Sequence, residues 1–190
     1  MNATPNISEQ LQDHIATVQK LSAQTAFISD LAERIISSLR GGGKLILFGN
    51  GGSAADAQHI AAEFVVRFRR ERKALPAIAL TTDTSILTAG GNDFGFETIY
   101  ARQVEALARA GDVAIGISTS GSSPNIVSGL RAAKEAGCLT VAFTGEKSSP
   151  SSALADLTFH APSPITARIQ ECHLLVGHIV CDLVDAAFAP

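Results

Sequence analysis

Apolar residues recur every three to four positions in several segments of the chain, and short apolar runs lie between those segments. Helical spacing over residues 8 to 40, ended by Gly41-Gly42-Gly43, predicts two helices before any strand. Helical spacing returns at 54–67, 96–108, 124–136 and 165–188. The short runs predict strands, and the first of them is typical of a strand buried on both faces. They are KLILFG (44–49), PAIAL (76–80), DVAIGIS (112–118), CLTVAFTG (138–145) and LTFHA (157–161).

This alternation predicts an α/β fold with a mostly parallel sheet, because parallel neighbours need crossover connections and the connecting segments are helical. A chain of 190 residues suits one domain, in which N-terminal helices (1–43) precede an α/β core and C-terminal helix (44–190). Hydrophobic residues make up 46% of the chain, and such an apolar surface often continues into subunit contacts. We therefore expect a homo-oligomer.

Composition narrows the classes of partner. The net charge of −3 supplies no broad positive field, which argues against a nucleic-acid-binding protein. Cys138, Cys172 and Cys181 are odd in number and lack CxxC spacing, which favours a reducing compartment. With neither a signal sequence nor an apolar stretch of ~18 residues, the sequence predicts a cytoplasmic protein that does not enter a membrane.

A glycine-rich loop, GNGGS, follows the first predicted strand and precedes a helix. Together with Ala54 it also fits the G-x-G-x-x-A pattern of dinucleotide-binding proteins. That reading requires an acidic residue at the end of the second strand, and Asp83 comes late for that role. Another interpretation of this loop is a glycine turn that only starts the helix.

A second loop, STSGSSPN, follows the third predicted strand. Its five hydroxyls, from Ser118, Thr119, Ser120, Ser122 and Ser123, precede a helix N-terminus, which favours anions. Helix capping by Ser122 or Ser123 would explain only one or two of them. Because ligands of open parallel sheets bind beyond the carboxyl ends of strands, we expect both loops to face one pocket that holds a phosphomonoester.

His59 and Glu63 are spaced i, i+4 on the helix after the first loop. This spacing suits a metal-ligand pair, an acid/base pair or an ordinary polar face. The apolar residues around them predict a buried helix, in which polar side chains are kept only where they make specific interactions. On the last helix, Gln170 and His178 share a stripe, ~12 Å apart along the axis. Because of this separation, the two side chains could contact one site only from the opposite ends of that site.

Other polar residues have less specific interpretations. Glu171 and His173 lie on other faces of the last helix, where we expect pairing with Arg168 or a neighbouring subunit. The basic run RFRRERK (67–73) indicates a solvated helix end, with one arginine reaching a phosphate as the alternative. Asn92 and Asp93 lie in the connection after the second strand. There they could hydrogen-bond sugar hydroxyls or form a plain turn.

Four segments together resemble the phosphoheptose isomerases, a branch of the sugar isomerase (SIS) domain family. They are GNGGSAADAQHIAAEF, GGNDFGFE, GISTSGSSPN and ARIQECHLLVGHIVCDL, and the resemblance runs from the N-terminal helices to Phe188. It implies a SIS-domain fold, a three-layer α/β/α sandwich with N-terminal helices. It also implies an aldose–ketose isomerase acting on sedoheptulose 7-phosphate to give D-glycero-D-manno-heptose 7-phosphate, the first step of ADP- or GDP-heptose biosynthesis for lipopolysaccharide or capsule.

The same resemblance implies roles for individual residues. Glu63 and His178 would be the catalytic base and acid, and one zinc ion per subunit would be held by His59, Glu63, Gln170 and His178. The implied substrate contacts are Asn50, Gly51, Gly52, Ser53, Glu63, Arg67, Asn92, Asp93, Ser118, Thr119, Ser120, Ser123 and Gln170. Arg67 would come from an adjacent subunit of a homotetramer.

An alternative function comes from the same fold. The DnaA initiator-associating proteins resemble this chain in the QH dipeptide and the ARIQE motif, and they bind a replication initiator without isomerising sugars. Their pattern lacks acid/base residues matching Glu63 and His178. The presence of both residues here favours the enzyme over the scaffold.

Overall fold

A five-stranded parallel sheet forms the centre of the protein. The computed structural model describes residues 6–190, so the first five residues of the segment 1–43 lie outside the described part. The strands are β1 (Leu45–Gly49), β2 (Ala77–Ala79), β3 (Val113–Ile117), β4 (Leu139–Thr144) and β5 (Leu157–His160). Their order across the sheet is β2-β1-β3-β4-β5, and each neighbouring pair is parallel.

Across residues 6–190, eight α-helices connect and flank the strands. They are α1 (Ile7–Lys20), α2 (Thr25–Arg40), α3 (Gly52–Val65), α4 (Thr84–Phe94), α5 (Ile99–Leu107), α6 (Pro124–Glu135), α7 (Pro150–Leu154) and α8 (Thr166–Phe188). Single 3-10 turns span Leu21–Gln24 and Phe96–Thr98. Within residues 6–190, no helix combines the length and apolarity needed to cross a bilayer.

The strand side chains alternate between two packed faces. Leu45 and Leu47 of β1 belong to the core that contains α2, α3 and α8, whereas Ile46 and Phe48 belong to the core beneath α5 and α6. Both faces of the sheet are therefore covered, which explains the unbroken apolar runs of its strands. The fold is the three-layer α/β/α sandwich that the sequence predicts, with α1 and α2 preceding the sheet.

The plain-turn interpretation of Asn92 and Asp93 is wrong, because both lie in the last turn of α4. Asp83 starts that helix by accepting a hydrogen bond from the Ile86 amide at 3.0 Å. No residue of Thr84–Phe94 is fully buried. Helical periodicity is visible in a sequence only where one face is apolar and buried, so this helix left no such signal.

The strand order places a crevice between β1 and β3. From β1 the chain proceeds towards β2 through α3 on one face, and from β3 it proceeds towards β4 through α6 on the other. The loops after β1 and β3 therefore diverge from a common point at the carboxyl edge. In open parallel sheets such a reversal point is where ligands bind.

Candidate active site

The two loops are joined directly across this crevice. Asn50, in the first loop, and Asn125, in the first turn of α6, exchange two amide hydrogen bonds of 2.9 Å each. Behind them, the Tyr100 hydroxyl donates to the Gly49 carbonyl. The two loops are thus in direct contact at the carboxyl edge of the sheet.

Glycines let the first loop approach α8. Gly51 has φ 55° and ψ −121°, a conformation that favours glycine. A Cβ atom on Gly52 would lie 2.5 Å from Gln170 Nε2, so any larger residue at the start of α3 would displace the end of this side chain. The loop therefore does more than turn the chain. The acidic residue of the dinucleotide alternative, Asp83, is engaged instead as the cap of α4.

The second loop gathers its hydroxyls into one cluster before α6. Ser118 Oγ lies 3.1 Å from Ser123 Oγ and 3.5 Å from Ser120 Oγ, and Ser122 Oγ lies 3.0 Å from Ser120 Oγ. Ser123 occupies the N-cap position of α6, yet within the described residues its side chain makes no capping hydrogen bond. The capping interpretation is therefore wrong for Ser123, and the cluster lies at the positive end of the helix dipole.

Three ligating side chains from α3 and α8 converge on one point. The ligand atoms of His59, Glu63 and His178 all lie within 4.8 Å of one another. His59 Nε2 is 2.9 Å from His178 Nε2 and 3.4 Å from Glu63 Oε1. Phe68 stacks on the His178 ring at a centroid distance of 5.4 Å. The sequence predicted each residue of this cluster, and the fold brings them together. The expectation that their helix is buried is wrong, because His59 is exposed and Glu63 is half-buried.

The chemistry of this cluster suits a cation. Two imidazole nitrogens at 2.9 Å repel each other unless one carries a proton or both direct their lone pairs at a shared positive ion. Two imidazoles and one carboxylate are also a donor set that zinc accepts. Gln170, the fourth predicted ligand, lies two turns along α8 from His178, against Gly52.

Asp56 is a polar residue of this region that sequence reasoning missed. It precedes His59 by three residues on α3, and its Oδ2 atom is buried without a hydrogen-bond partner among residues 6–190. Burial raises the pKa of its carboxyl, and the nearby His59 partly opposes that shift. The i, i+3 spacing to His59 was the available signal.

The basic run is not a solvated helix end, because α3 ends at Val65 and the following segment folds back onto α8. Arg72 Nε donates to Asp185 Oδ1 at 2.7 Å, with both side chains almost fully buried. Arg72 also donates to the Glu63 and Phe64 carbonyls at 2.8 Å, so it holds the end of α3. Arg67 remains exposed.

The other polar residues of α8 have internal partners. Glu171 pairs with Arg168 as expected and also with His14 of α1, at 2.7 Å. His173, by contrast, contacts neither Arg168 nor the surface: it is fully buried, with Nε2 3.1 Å from the Thr144 carbonyl oxygen. The prediction for His173 is wrong because its helix face packs on the sheet.

Asn92 and Asp93 pair with each other at the surface. Both are exposed, and Asn92 Nδ2 donates to Asp93 Oδ1 at 2.7 Å. Among residues 6–190, no hydrogen bond joins either side chain to the loops or to the histidine pair. Ser53, in contrast, is buried in the first turn of α3.

Comparison with known proteins identifies the family. A model of the SIS domain matches residues 9–145. The chain is 61% identical to a phosphoheptose isomerase of Aquifex aeolicus over 83% of both chains, and 56% identical to that of Trichlorobacter lovleyi over 94% of this chain and 92% of the relative. The solved phosphoheptose isomerase of Neisseria gonorrhoeae superposes with a TM-score of 0.89 at 42% identity, covering 95% of this chain and 97% of the other.

Proposed function

The chain belongs to the phosphoheptose isomerase branch of the SIS domain family and is a sugar-phosphate isomerase, and on that premise we propose that it converts sedoheptulose 7-phosphate to D-glycero-D-manno-heptose 7-phosphate. The observation that carries this proposal is the meeting of Glu63 with His178. Such a step would begin the biosynthesis of ADP- or GDP-heptose.

Aldose–ketose exchange requires two proton movements. One proton leaves the carbon beside the carbonyl to give an enediol and returns to the adjacent carbon, while another moves between the two oxygens. In this proposal the Glu63 carboxylate carries the carbon proton. The His178 imidazole serves the oxygens, since imidazole both donates and accepts protons near neutral pH.

The phosphate is assigned to Ser118, Ser120 and Ser123 of the hydroxyl cluster and to Thr119 of the same loop. Their clustering at the N-terminus of α6 supports this assignment. From there the sugar would extend past Asn50, Gly51, Gly52 and Ser53 and the Gln170 amide towards Glu63. The close approach of Gln170 to Gly52 supports this path, because it puts a polar amide between the two ends of the substrate.

Zinc is the proposed cofactor, one ion per subunit, held by His59, Glu63 and His178 with Gln170 as the fourth ligand. The converging donor atoms of the first three residues support it. When bound, such an ion would polarise a carbonyl oxygen and stabilise developing negative charge on it, or would only order the pocket. In the second case ligation of zinc by Glu63 would compete with the role of this carboxylate as the base. His59, which has no proton-transfer role in this mechanism, would serve only to bind the ion.

We further propose a homotetramer in which a neighbouring subunit supplies Arg67. Apolar side chains are exposed along α1, at Ile7, Leu11 and Ile15, and around the end of α4, at Phe94 and Phe96. Such patches favour burial against another chain. Asn92 and Asp93 lie beside the second patch and would reach substrate in the assembled protein. The three buried, unpaired cysteines support a cytoplasmic location.

Direct assay tests the proposal. Purified protein incubated with sedoheptulose 7-phosphate should yield the aldose, and Glu63→Gln should abolish turnover. Glu33→Gln, an exposed carboxylate on α2, is the matched control and should retain it. Absence of aldose both with and without added zinc would refute the proposal. No comparison favours the replication-initiator scaffold, which would bind an initiator and give no turnover with any sugar phosphate.

A further inference from the structure

His173 is a polar residue in an aromatic part of the core. It is 0% exposed, and its ring lies 5.7 Å from the Phe143 ring and 5.9 Å from the Phe159 ring. Nε2 lies 3.1 Å from the Thr144 carbonyl oxygen, while Nδ1 has no hydrogen-bond partner among residues 6–190. One ring nitrogen is thus used and the other is buried unsatisfied.

The protonation of this imidazole follows from its surroundings. A carbonyl oxygen only accepts, so Nε2 must carry the proton and donate it to Thr144. Nδ1 is then a bare acceptor in an apolar environment, which costs stability. Burial lowers the pKa of His173 to about 4, so the ring stays neutral near neutral pH. A phenylalanine would fill the same space without this cost.

The Thr144 carbonyl lies in the backbone that supports the hydroxyl loop. One residue before it, the Phe143 carbonyl accepts from the Ser118 amide at 2.9 Å. One residue after it, the Gly145 amide donates to the Thr119 carbonyl at 3.1 Å. A Cβ atom on Gly145 would lie 2.8 Å from that same oxygen, so the two segments are in close contact.

We propose that His173 is a positioning residue: together with the Ala161 amide, which donates to the same oxygen at 2.9 Å, it holds the Thr144 carbonyl, fixes the end of β4 and thereby the placement of Ser118 and Thr119 for the substrate phosphate. This inference rests on the proposed phosphate role of the hydroxyl loop. The proposed role explains why the aromatic core contains an imidazole with one unsatisfied nitrogen. A phenylalanine at this position would fill the same space but could not donate a hydrogen bond to Thr144.

The test compares three variants by steady-state kinetics and thermal unfolding. His173→Phe should unfold at or above the wild-type temperature, yet its KM for sedoheptulose 7-phosphate should rise about tenfold with little change in kcat, as expected for one lost hydrogen bond that affects binding alone. His173→Gln, whose amide can still donate to Thr144, should restore KM to within about threefold of wild type. Phe159→Leu perturbs the same aromatic cluster but keeps the backbone carbonyl that accepts from the Thr144 hydroxyl, so it should lower the unfolding temperature and leave KM unchanged.

Each other outcome overturns the inference. An unchanged KM in His173→Phe contradicts it, as does failure of that variant to fold, because the proposal holds that an apolar ring is tolerated. If KM rises as much in Phe159→Leu as in His173→Phe, His173 contributes only to core packing and the inference is wrong. The double variant Ser118→Ala/Ser123→Ala separates the two proposals. If both this variant and His173→Phe leave KM unchanged, the phosphate assignment fails. If KM rises in the double serine variant but not in His173→Phe, only the role of His173 is refuted.

Discussion

Gly177 and Ile60 determine how closely α8 packs on α3: a Cβ atom on Gly177 would lie 2.6 Å from Ile60 Cδ1. These residues are the immediate neighbours of His178 and His59. The close packing of the two helices at this point brings the two histidines together, with their Nε2 atoms 2.9 Å apart. The candidate site depends on a glycine that carries no chemistry itself.

Gly177→Ala should separate the helices and lower kcat/KM about 100-fold, since displacements near 1 Å have effects of that size. The added methyl should also destabilise the protein by about 1–3 kcal/mol through overpacking. Steady-state kinetics and urea unfolding measure both effects. The double variant Gly177→Ala/Ile60→Ala restores the space, so it should recover part of the activity; full additivity of the two changes would contradict the packing argument.

Removing zinc should reduce both activity and thermal stability, because an ion that binds only the folded state stabilises it. We expect about one equivalent of zinc per chain by elemental analysis, lost on dialysis against a chelator and regained on adding zinc. His59→Ala should abolish zinc retention, whereas His14→Ala, a histidine on α1 that pairs with Glu171, should not. Zinc retained by His59→Ala would rule out the proposed ligand set.

The buried Arg72–Asp185 pair should stabilise the end of α3. Removing one partner of a buried pair costs about 3–5 kcal/mol, so Asp185→Asn should lower the free energy of unfolding by that order. Asp30→Asn, in an exposed pair with Arg34, is the matched control, and we expect a change below about 1 kcal/mol. Equal effects of the two variants would contradict a special role for the buried pair.

Asp185 should also make stability depend on pH. Burial alone would raise the pKa of its carboxyl, but hydrogen bonds from the Arg70 and Arg69 amides and the Arg72 guanidinium together hold that pKa below the ordinary 3.8. A depressed folded pKa means that the stabilisation is complete above the unfolded value and is lost as pH falls through the folded one. The difference in unfolding free energy between wild type and Asp185→Asn should therefore shrink below about pH 4. A difference independent of pH would exclude this linkage.

The sequence predicted the elements whose side chains are buried, and it failed where burial leaves no pattern. The runs around β1 and β3 were visible because both faces of those strands are covered, and His59 and Glu63 stood out as polar residues on an apolar helix. α4 was missed because none of its residues between Thr84 and Phe94 is fully buried.

The sequence also did not predict which residues that are distant along the chain would contact each other. The pairing of Arg72 with Asp185 and the burial of His173 depend on how α8 crosses the sheet, which the spacing of residues along one segment does not specify. The proximity of His178 to His59 depends on the same crossing. It could be inferred only from the resemblance of whole motifs to a known family.

Hydrogen exchange at the substrate carbon tests the central claim most directly. With sedoheptulose 7-phosphate in D2O, the wild-type protein should incorporate deuterium at the carbon that loses its proton, as followed by NMR. Glu63→Gln should incorporate none while still binding the sugar phosphate with a Kd within about threefold of wild type, because an amide cannot accept that proton. Deuterium incorporation by Glu63→Gln at the wild-type rate would contradict the assignment of Glu63 as the base.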